Sequence, residues 1–197
     1  MNTRRQGVGL VLIAALALGP AARDAGAAAQ AWKIDPAHSQ LTFHPRLAGG
    51  EFTGRFERFD ATIQFDPRDL AHSSLLVVVD LSSARTGDTD RDTALQGDEF
   101  FETSRWPKGT FTSAGIKALG SGRYEAAGKL TLRGASRDIR IQFRFDPPAP
   151  SGGMAHMVGS SNLRRLEFGV GQGDWHSTEW LDDAVRVDFD VKLRASR

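Results

Sequence analysis

The sequence predicts an all-β fold, a single antiparallel domain of about eight strands closed as a sandwich or a barrel. Three observations carry this. Most of the chain beyond residue 31 alternates apolar and polar residues with period two; turn-forming clusters interrupt the alternation at regular intervals; and only one segment, Asp88 to Ser104, reads as helical. Alternation of this kind marks strands with one buried and one solvated face, which is the signature of antiparallel sheets.

The N-terminus is expected to be a leader. Arg4 and Arg5 give a positive start, and Val8 to Leu18 is an apolar run of eleven residues. That run is too short to cross a bilayer core of roughly 30 Å. Small residues follow, and Ala25-Gly26-Ala27, Ala27-Ala28-Ala29 and Ala29-Gln30-Ala31 each fit an A-x-A cleavage site. The expectation is a signal peptide over residues 1–29, cleaved between 27 and 31, and one domain over 30–197. The expected location is periplasmic or secreted. An uncleaved anchor is the competing reading. The Arg4-Arg5 pair raises the twin-arginine route, but Gln6-Gly7-Val8 matches that signal poorly, and no Cys is present for lipid attachment.

Strands follow in order. Gln40–His44 is the first, preceded by a turn at Asp35-Pro36-Ala37-His38-Ser39. Phe52, Gly54 and Phe56 have one parity and Phe59, Ala61, Ile63 and Phe65 the other, so a strand that keeps both sets inside needs a bulge near Glu57-Arg58. Further strands are predicted at Ser74–Ser82, Gly109–Lys117, Tyr124–Leu132 and around Leu163–Gly169. The clearest are two others. Asp138 to Phe145 sets Ile139, Ile141, Phe143 and Phe145 against Arg140, Gln142 and Arg144, and Val185 to Leu193 sets Val185, Val187, Phe189, Val191 and Leu193 against Arg186, Asp188, Asp190 and Lys192. Asp66-Pro67, Gly120-Ser121-Gly122, Arg133-Gly134 and the Pro147–Gly153 stretch supply the punctuation. The segment 88–104 holds short helical pieces with Arg91, Leu95 and Phe100-Phe101, and suits a lid or plug. A barrel of eight strands either fills its interior or holds one small ligand. The inward set mixes Phe with Gly54, Ala61, Ala126 and Gly128; small residues would leave room, but a filled core shows the same mixture, and both readings stand.

Composition excludes several classes. There are 25 Lys+Arg against 24 Asp+Glu; without Arg4, Arg5, Arg23 and Asp24 the balance is 22 against 23. That is no surface for nucleic acid or for a polybasic membrane contact. The absence of Cys excludes disulfides, thiol catalysis and Cys-ligated metals.

No catalytic set emerges from the motifs. The five His (His38, His44, His72, His156, His176) show no H-x-H or H-x-x-x-H spacing, and no Ser sits in a G-x-S-x-G elbow. Asp88, Asp90, Asp92 and Glu99 mimic a calcium loop, yet Thr93 stands where the sharp turn requires Gly. Acidic residues also suit the start of a short helix. Gly169-Val170-Gly171-Gln172-Gly173 lacks the Lys-Ser/Thr of a phosphate loop and predicts a hairpin or bulge. Asp182 and Asp183 are adjacent on extended chain and so face opposite ways, one toward a turn and one toward solvent.

An ordered series of short motifs over residues 32–193 resembles the YceI-like proteins, exported lipocalin-like barrels associated with binding polyisoprenoids and similar long apolar molecules. Trp32-Lys33-Ile34-Asp35 with His38-Ser39 matches the opening, Phe52-Thr53-Gly54-Arg55-Phe56 with Phe59-Asp60 the next block, and Arg91-Asp92, Leu95, Asp98, Phe100-Phe101, Pro107 and Thr110-Phe111 the third. Gly128-Lys129-Leu130-Thr131-Leu132 with Gly134, Arg165-Leu166-Glu167-Phe168-Gly169 and Asp183-Ala184-Val185 complete it. Ala94 stands where many relatives carry His; His44-Pro45-Arg46-Leu47-Ala48-Gly49-Gly50 departs from the usual hydrophobic strand; and the Gly173-Asp174-Trp175…Trp180 loop looks like a subgroup feature.

The resemblance implies a lipocalin-like antiparallel β-barrel of about eight strands that carries a polyisoprenoid, quinone or other long-chain apolar lipid, bound non-covalently and without a cofactor or metal. It makes Phe43, Phe52, Phe56, Phe111, Phe143 and Phe189 the wall candidates, with Phe100, Phe101 and Trp106 closing one end. Arg91 and Asp92 become candidates for a head-group contact or for an internal salt bridge that fixes the lid. Two other functions stay open: an enzyme, hydrolase or isomerase, acting on a lipid in the cavity through His38, His44 or Asp92, and a filled barrel serving as an envelope interaction module. A homodimer is common among small barrels, and nothing in the sequence specifies one.

Overall fold

Period-two alternation becomes strand in the computed structural model, which describes residues 29–196. The predicted leader, up to residue 28, lies outside the described residues. In chain order the elements begin with β1 (Ala31–Ile34), β2 (Gln40–His44), β3 (Arg46–Leu47), β4 (Gly50–Glu51), β5 (Gly54–Phe56) and β6 (Phe59–Gln64). After these come β7 (Ser74–Asp80), β8 (Ala84–Arg85), α1 (Thr89–Gln96), β9 (Lys108–Gly120) and β10 (Arg123–Leu132). The long staves β11 (Ala135–Asp146), β12 (Ala155–Arg164) and β13 (Ala184–Ala195) complete the set.

Eight antiparallel strands close a ring in the order β1-β6-β7-β9-β10-β11-β12-β13, and β13 returns to β1 through Trp32↔Ala195 and Ile34↔Leu193. Closure removes the sheet edges that would otherwise need protection. The first three staves are each kinked in the middle, and the halves β2, β5 and β8 continue the sheet beside β13. The kink between β1 and β2 is a 3-10 turn at Pro36–His38, started by Asp35, whose Oδ1 accepts from Ala37 N at 3.2 Å. The predicted interruption at Glu57-Arg58 separates β5 from β6. Ser83, fully buried, fills it: its carbonyl accepts Glu57 N at 3.1 Å and its Oγ accepts Arg58 N at 3.0 Å. The extra residue inverts parity, so Phe52 and Phe56 reach the same interior as Phe59, Ala61 and Ile63.

Two predicted strands are corrected. The one expected around Leu163–Gly169 is β12, ten residues long and mostly upstream; Arg165–Phe168 is a 3-10 turn that ends on Gly169 at φ 66°. The interior positions of β12 include Gly159 and Ser161, which blurred the apolar alternation that marks the other strands. The strand expected over Ser74–Ser82 stops at Asp80, because that side chain accepts from Ser82 N at 3.0 Å and turns the chain into a 3-10 segment at Leu81–Ser83.

The core divides along the barrel axis. One end is closed by a floor of aromatic and aliphatic side chains, among them Trp32, Phe65, Tyr124, Phe143, Phe145 and Leu193. Phe65, with no exposure, stands at its centre with ring centroids 5.0 Å from Tyr124, 5.5 Å from Phe143 and 4.9 Å from Phe145, all edge-on. Trp32 Nε1 donates to the Phe65 carbonyl at 2.8 Å. The other end is capped by the connections 45–53, 86–107 and 165–183, which bring Phe43, Phe100, Phe101, Phe168, Val170 and Leu181 together.

Candidate ligand-binding site

Between floor and cap lies a cavity of about 290 Å³. Its wall is built in layers by strand alternation. On β13 the interior residues step from Val185 through Val187 and Phe189 to Val191, all on the cavity wall, and the next, Leu193, is sealed in the floor with no exposure. The same boundary falls between Ile141 and Phe143 on β11, and between Ile63 and Phe65 at the end of β6. Arg91, Ser161 and Arg165 are the lining side chains that carry a charge or a hydroxyl. The barrel is hollow, and its lumen is apolar almost throughout.

Glycine shapes this wall at positions where two readings of the sequence stood open. Gly54 and Gly128 suit an open lumen and a filled core equally in the sequence; in the structure each receives a phenylalanine ring. A Cβ on Gly54 would stand 2.1 Å from Phe43 Cζ, one on Gly128 2.7 Å from Phe111 Cζ, and one on Gly159 2.6 Å from Phe189 Cζ. Phe43 and Gly54 are cross-strand partners, as are Gly159 and Phe189. The rings therefore lean along the wall onto the neighbouring strand rather than into the lumen. Three large residues line the cavity without filling it.

The structure brings Phe43, Phe52, Phe56 and Phe111 onto the cavity wall together with Phe189, and adds Phe100, Phe101 and Arg91 from the cap. Three predicted residues stand elsewhere. Phe143 belongs to the floor, stacked on Tyr124 at 5.4 Å. Trp106 lies against the β10–β11 turn, where a Cβ on Gly134 would meet its ring at 2.7 Å, and Arg105 sits 5.0 Å from its centroid. Asp92 is committed to the chain, its Oδ1 accepting both Thr86 N and Thr86 Oγ1 at 2.7 Å. The anticipated Arg91–Asp92 pair is replaced by Arg91–Asp88, 3.7 Å apart, with Asp88 capping α1 by accepting Arg91 N at 2.9 Å. Asp88, Asp90, Asp92 and Glu99 make no group of three that could hold a metal, among the described residues.

The two charged residues on the wall have different roles. Arg165, 5% exposed, donates every guanidinium N–H to a main-chain carbonyl: Nε to Asp182, Nη1 to Val170 and Gly171, Nη2 to Ser177 and Leu181. It gathers the connection 165–183 over the barrel and has no donor left for a ligand. Burial lowers its pKa from the ordinary arginine value, against the attraction of Asp183 and Asp182. Arg91 is half-exposed at the cap, 4.6 Å from the centre of the Phe52 ring. Among the described residues no acceptor reaches its buried Nε.

Sequence reasoning missed the contribution of the 165–183 connection. Phe168, Val170, Trp175 and Leu181 all line the cavity, with Trp175 packed on Phe100 at 5.6 Å. Leu181 bridges to Leu47 of the β3–β4 hairpin, and Ala48 N donates to the Trp180 carbonyl at 2.7 Å. The Trp175…Trp180 spacing was the available signal; Trp175 faces the cavity and Trp180 is 61% exposed. The histidines keep to the strand exteriors and turns: His38 pairs with Asp35, His44 with Asp188, His72 with Asp69 and His156 with Asp190. Neither they nor His176 belong to the cavity wall.

Solved structures with this architecture include BcnA of Burkholderia cenocepacia, 26% identical, with a TM-score of 0.77 over 82% of this chain and 99% of that one. A polyisoprenoid binding domain from Saccharophagus degradans, implicated in plant cell wall breakdown, covers 85% of this chain and 99% of its own with a TM-score of 0.64; at 18% identity the likeness is one of fold. Among sequence relatives, a UPF0312 protein of Vibrio parahaemolyticus is 31% identical over 168 residues, 82% of this chain and 85% of the relative. The model of the YceI-like domain matches residues 32–193, and the chain belongs to that family.

Proposed function

We propose that this protein is an exported carrier that holds one long apolar lipid, a polyisoprenoid, a quinone or a similar chain, inside its barrel. One observation carries the reading: a cavity of about 290 Å³ with apolar walls from the floor to the cap. Such a lumen offers a hydrocarbon tail the transfer energy of burial, about 0.8 kcal/mol per CH2-sized group and so roughly 4 kcal/mol for each five-carbon prenyl unit before ordering costs. A tail of several units does not cross an aqueous space unless something shields it. The floor is sealed, so the tail enters first and the polar end stays at the cap. There Arg91 supplies the donor for a head-group oxygen, its Nε lacking any other acceptor among the described residues. The S. degradans polyisoprenoid binding domain, which shares this fold, adds support. The Arg4-Arg5 start, the apolar run and the A-x-A sites support export to the periplasm or beyond.

Native mass spectrometry on protein purified from cells without detergent tests this. The expected result is a mass increment of a single lipid, together with a rise in melting temperature on adding prenyl lipids. A barrel that is always empty and unmoved by prenyl lipids rejects it.

A further inference from the structure

The cap covers the lumen, so cargo needs a way in. The floor does not supply it, because Phe65 is locked edge-on among Tyr124, Phe143 and Phe145. We infer that helix α1 is the door of the barrel, swinging aside to admit and release a chain while the rest of the cap stays shut. This rests on the carrier reading. The three cap connections are held differently. Residues 45–53 and 165–183 are stitched together: Ala48 N donates to the Trp180 carbonyl at 2.7 Å, Asp182 N donates to the Arg46 carbonyl at 3.0 Å, and Leu47 bridges to Leu181. Residues 98–107 are stitched to 165–183 as well. The Glu99 carbonyl accepts Gly171 N at 2.8 Å and Gln172 N at 2.7 Å, and the Arg133 guanidinium spans the Asp98 and Gly169 carbonyls. Arg165 ties down the last connection from beneath.

Helix α1 has no such stitch. Among the described residues, no hydrogen bond joins residues 86–96 to 45–53 or to 165–183. Its bonds are local: Asp88 caps it, Asp92 holds Thr86, Thr93 Oγ1 donates to the Thr89 carbonyl at 2.8 Å, and Gln96 Nε2 donates to the Asp92 carbonyl at 3.3 Å. None of its eight residues is buried. Segments with few buried contacts and mainly local bonds are the first to open. Yet Arg91, Ala94 and Leu95, spaced i, i+3 and i+4 on one helix face, line the cavity. The helix therefore closes the lumen by side-chain contact. Leu95 packs against the cap cluster, and Arg91 lies over the Phe52 ring as a cation–π latch, 4.6 Å from its centre. The C-terminal end is the pivot, where the Leu95 and Gln96 carbonyls accept Phe101 N at 3.0 Å and Thr103 N at 3.1 Å. The other end joins the barrel through exposed Gly87 at φ 79°, which carries no side chain to stiffen it. A helix with its side chains is about 10 Å across, so swinging it out opens a port wide enough for an alkyl or prenyl chain.

The test pins the door. The chain has no Cys, so an introduced pair can be bridged specifically by a short bismaleimide. Phe52→Cys with Arg91→Cys fastens the latch, and Ala48→Cys with Trp180→Cys fastens a seam that is already closed. Uptake of geranylgeraniol from phosphatidylcholine vesicles, and its return from loaded protein to fresh vesicles, are followed over time by native mass spectrometry. Each variant is compared with itself before and after bridging, so the loss of Arg91 and Phe52 cancels. The 52–91 bridge is expected to slow uptake and return at least tenfold, and the 48–180 bridge to change neither. Thr86→Val removes a hydroxyl bond to Asp92 from a residue off the cavity wall, and is expected to speed both by about threefold with the same final loading. Unchanged rates across the 52–91 bridge, or equal slowing by the 48–180 bridge, overturn α1 as the door while leaving the carrier reading intact. If the 52–91 variant does not load before bridging, Thr86→Val decides, and unchanged rates there overturn the inference. A wild type that takes up no geranylgeraniol overturns the carrier reading and this inference with it.

Discussion

The ring tip of Phe43 occupies the place where a Cβ on Gly54 would stand, 2.1 Å from Phe43 Cζ. The two residues are cross-strand partners on β2 and β5, and the ring lies on the wall because Gly54 offers it no side chain. Only ring atoms of Phe43 approach that closely, so Gly54→Ala is relieved by turning the ring into the lumen. The variant is expected to fold with a loss of about 1–3 kcal/mol. Its binding of prenyl alcohol is expected to fall by tenfold or more. At Gly128 and Gly159 the same substitution also meets a carbonyl oxygen, of Thr112 or Gln142, at 2.3 Å. Those variants are expected to lose more stability than Gly54→Ala. Urea denaturation of the three, beside titration of the folded ones, checks both statements.

Arg165 organises the cap from beneath. With five N–H groups directed at five carbonyls of residues 170–182, its removal strands buried acceptors that no water reaches easily. Arg165→Met is expected to destabilise by about 3 kcal/mol or more, and Arg165→Lys to recover only a small part, because an ammonium has three donors and no planar fork. Hydrogen exchange is the sharper measurement. Amides of Val170, Gly171 and Gln172, now bonded to Arg165 and Glu99 carbonyls, should lose protection in both variants. Unchanged protection there would assign the cap's order to the apolar contacts instead.

How far the sequence could be read follows from this contrast. Ile139, Ile141, Phe143 and Phe145 announced their face because each neighbour is polar, and even the parity change at Glu57-Arg58 was visible as a break in the alternation. The floor boundary was not visible. Phe143 and Ile141 share one face of one strand, and only the layer at which Phe65 reaches the axis decides that one seals and the other lines. Asp92 looked like a head-group partner beside Arg91, but Thr86 lies six residues back in the chain and claims its carboxylate. Hollowness itself was hidden for a related reason: glycine and phenylalanine on one face read equally well as void and filler, until the rings are seen resting on the glycines.

Asp80 predicts an acid-sensitive corner. Its carboxylate accepts Ser82 Oγ at 2.6 Å, Ser82 N at 3.0 Å and Arg58 Nε at 2.9 Å. These bonds, the Ser82 hydroxyl foremost, hold its pKa below the ordinary carboxylate value. A depressed native pKa contributes stability that is present above the unfolded value of about 3.9 and is lost as the pH falls through the native one. The stability difference between the wild type and Asp80→Asn should therefore be constant from about pH 7 to pH 5 and shrink below about pH 4. Paired urea titrations across that range provide the check, and a difference that stays constant in acid would show that the carboxylate's charge is not what holds the corner.

Trp175 offers a direct report on occupancy. Of the four tryptophans, it is the one on the cavity wall; Trp32 is sealed in the floor, Trp106 leans on the β10–β11 turn and Trp180 is exposed. A brominated alkyl or prenyl chain in the lumen should quench Trp175 by contact and leave the other three nearly untouched. Trp175→Phe keeps the aromatic packing against Phe100 and should abolish most of the quenching while preserving binding measured by mass. If quenching survives in Trp175→Phe and is lost only on replacing Trp106 or Trp180 as well, the chain sits outside the lumen, because those two indoles do not line the cavity.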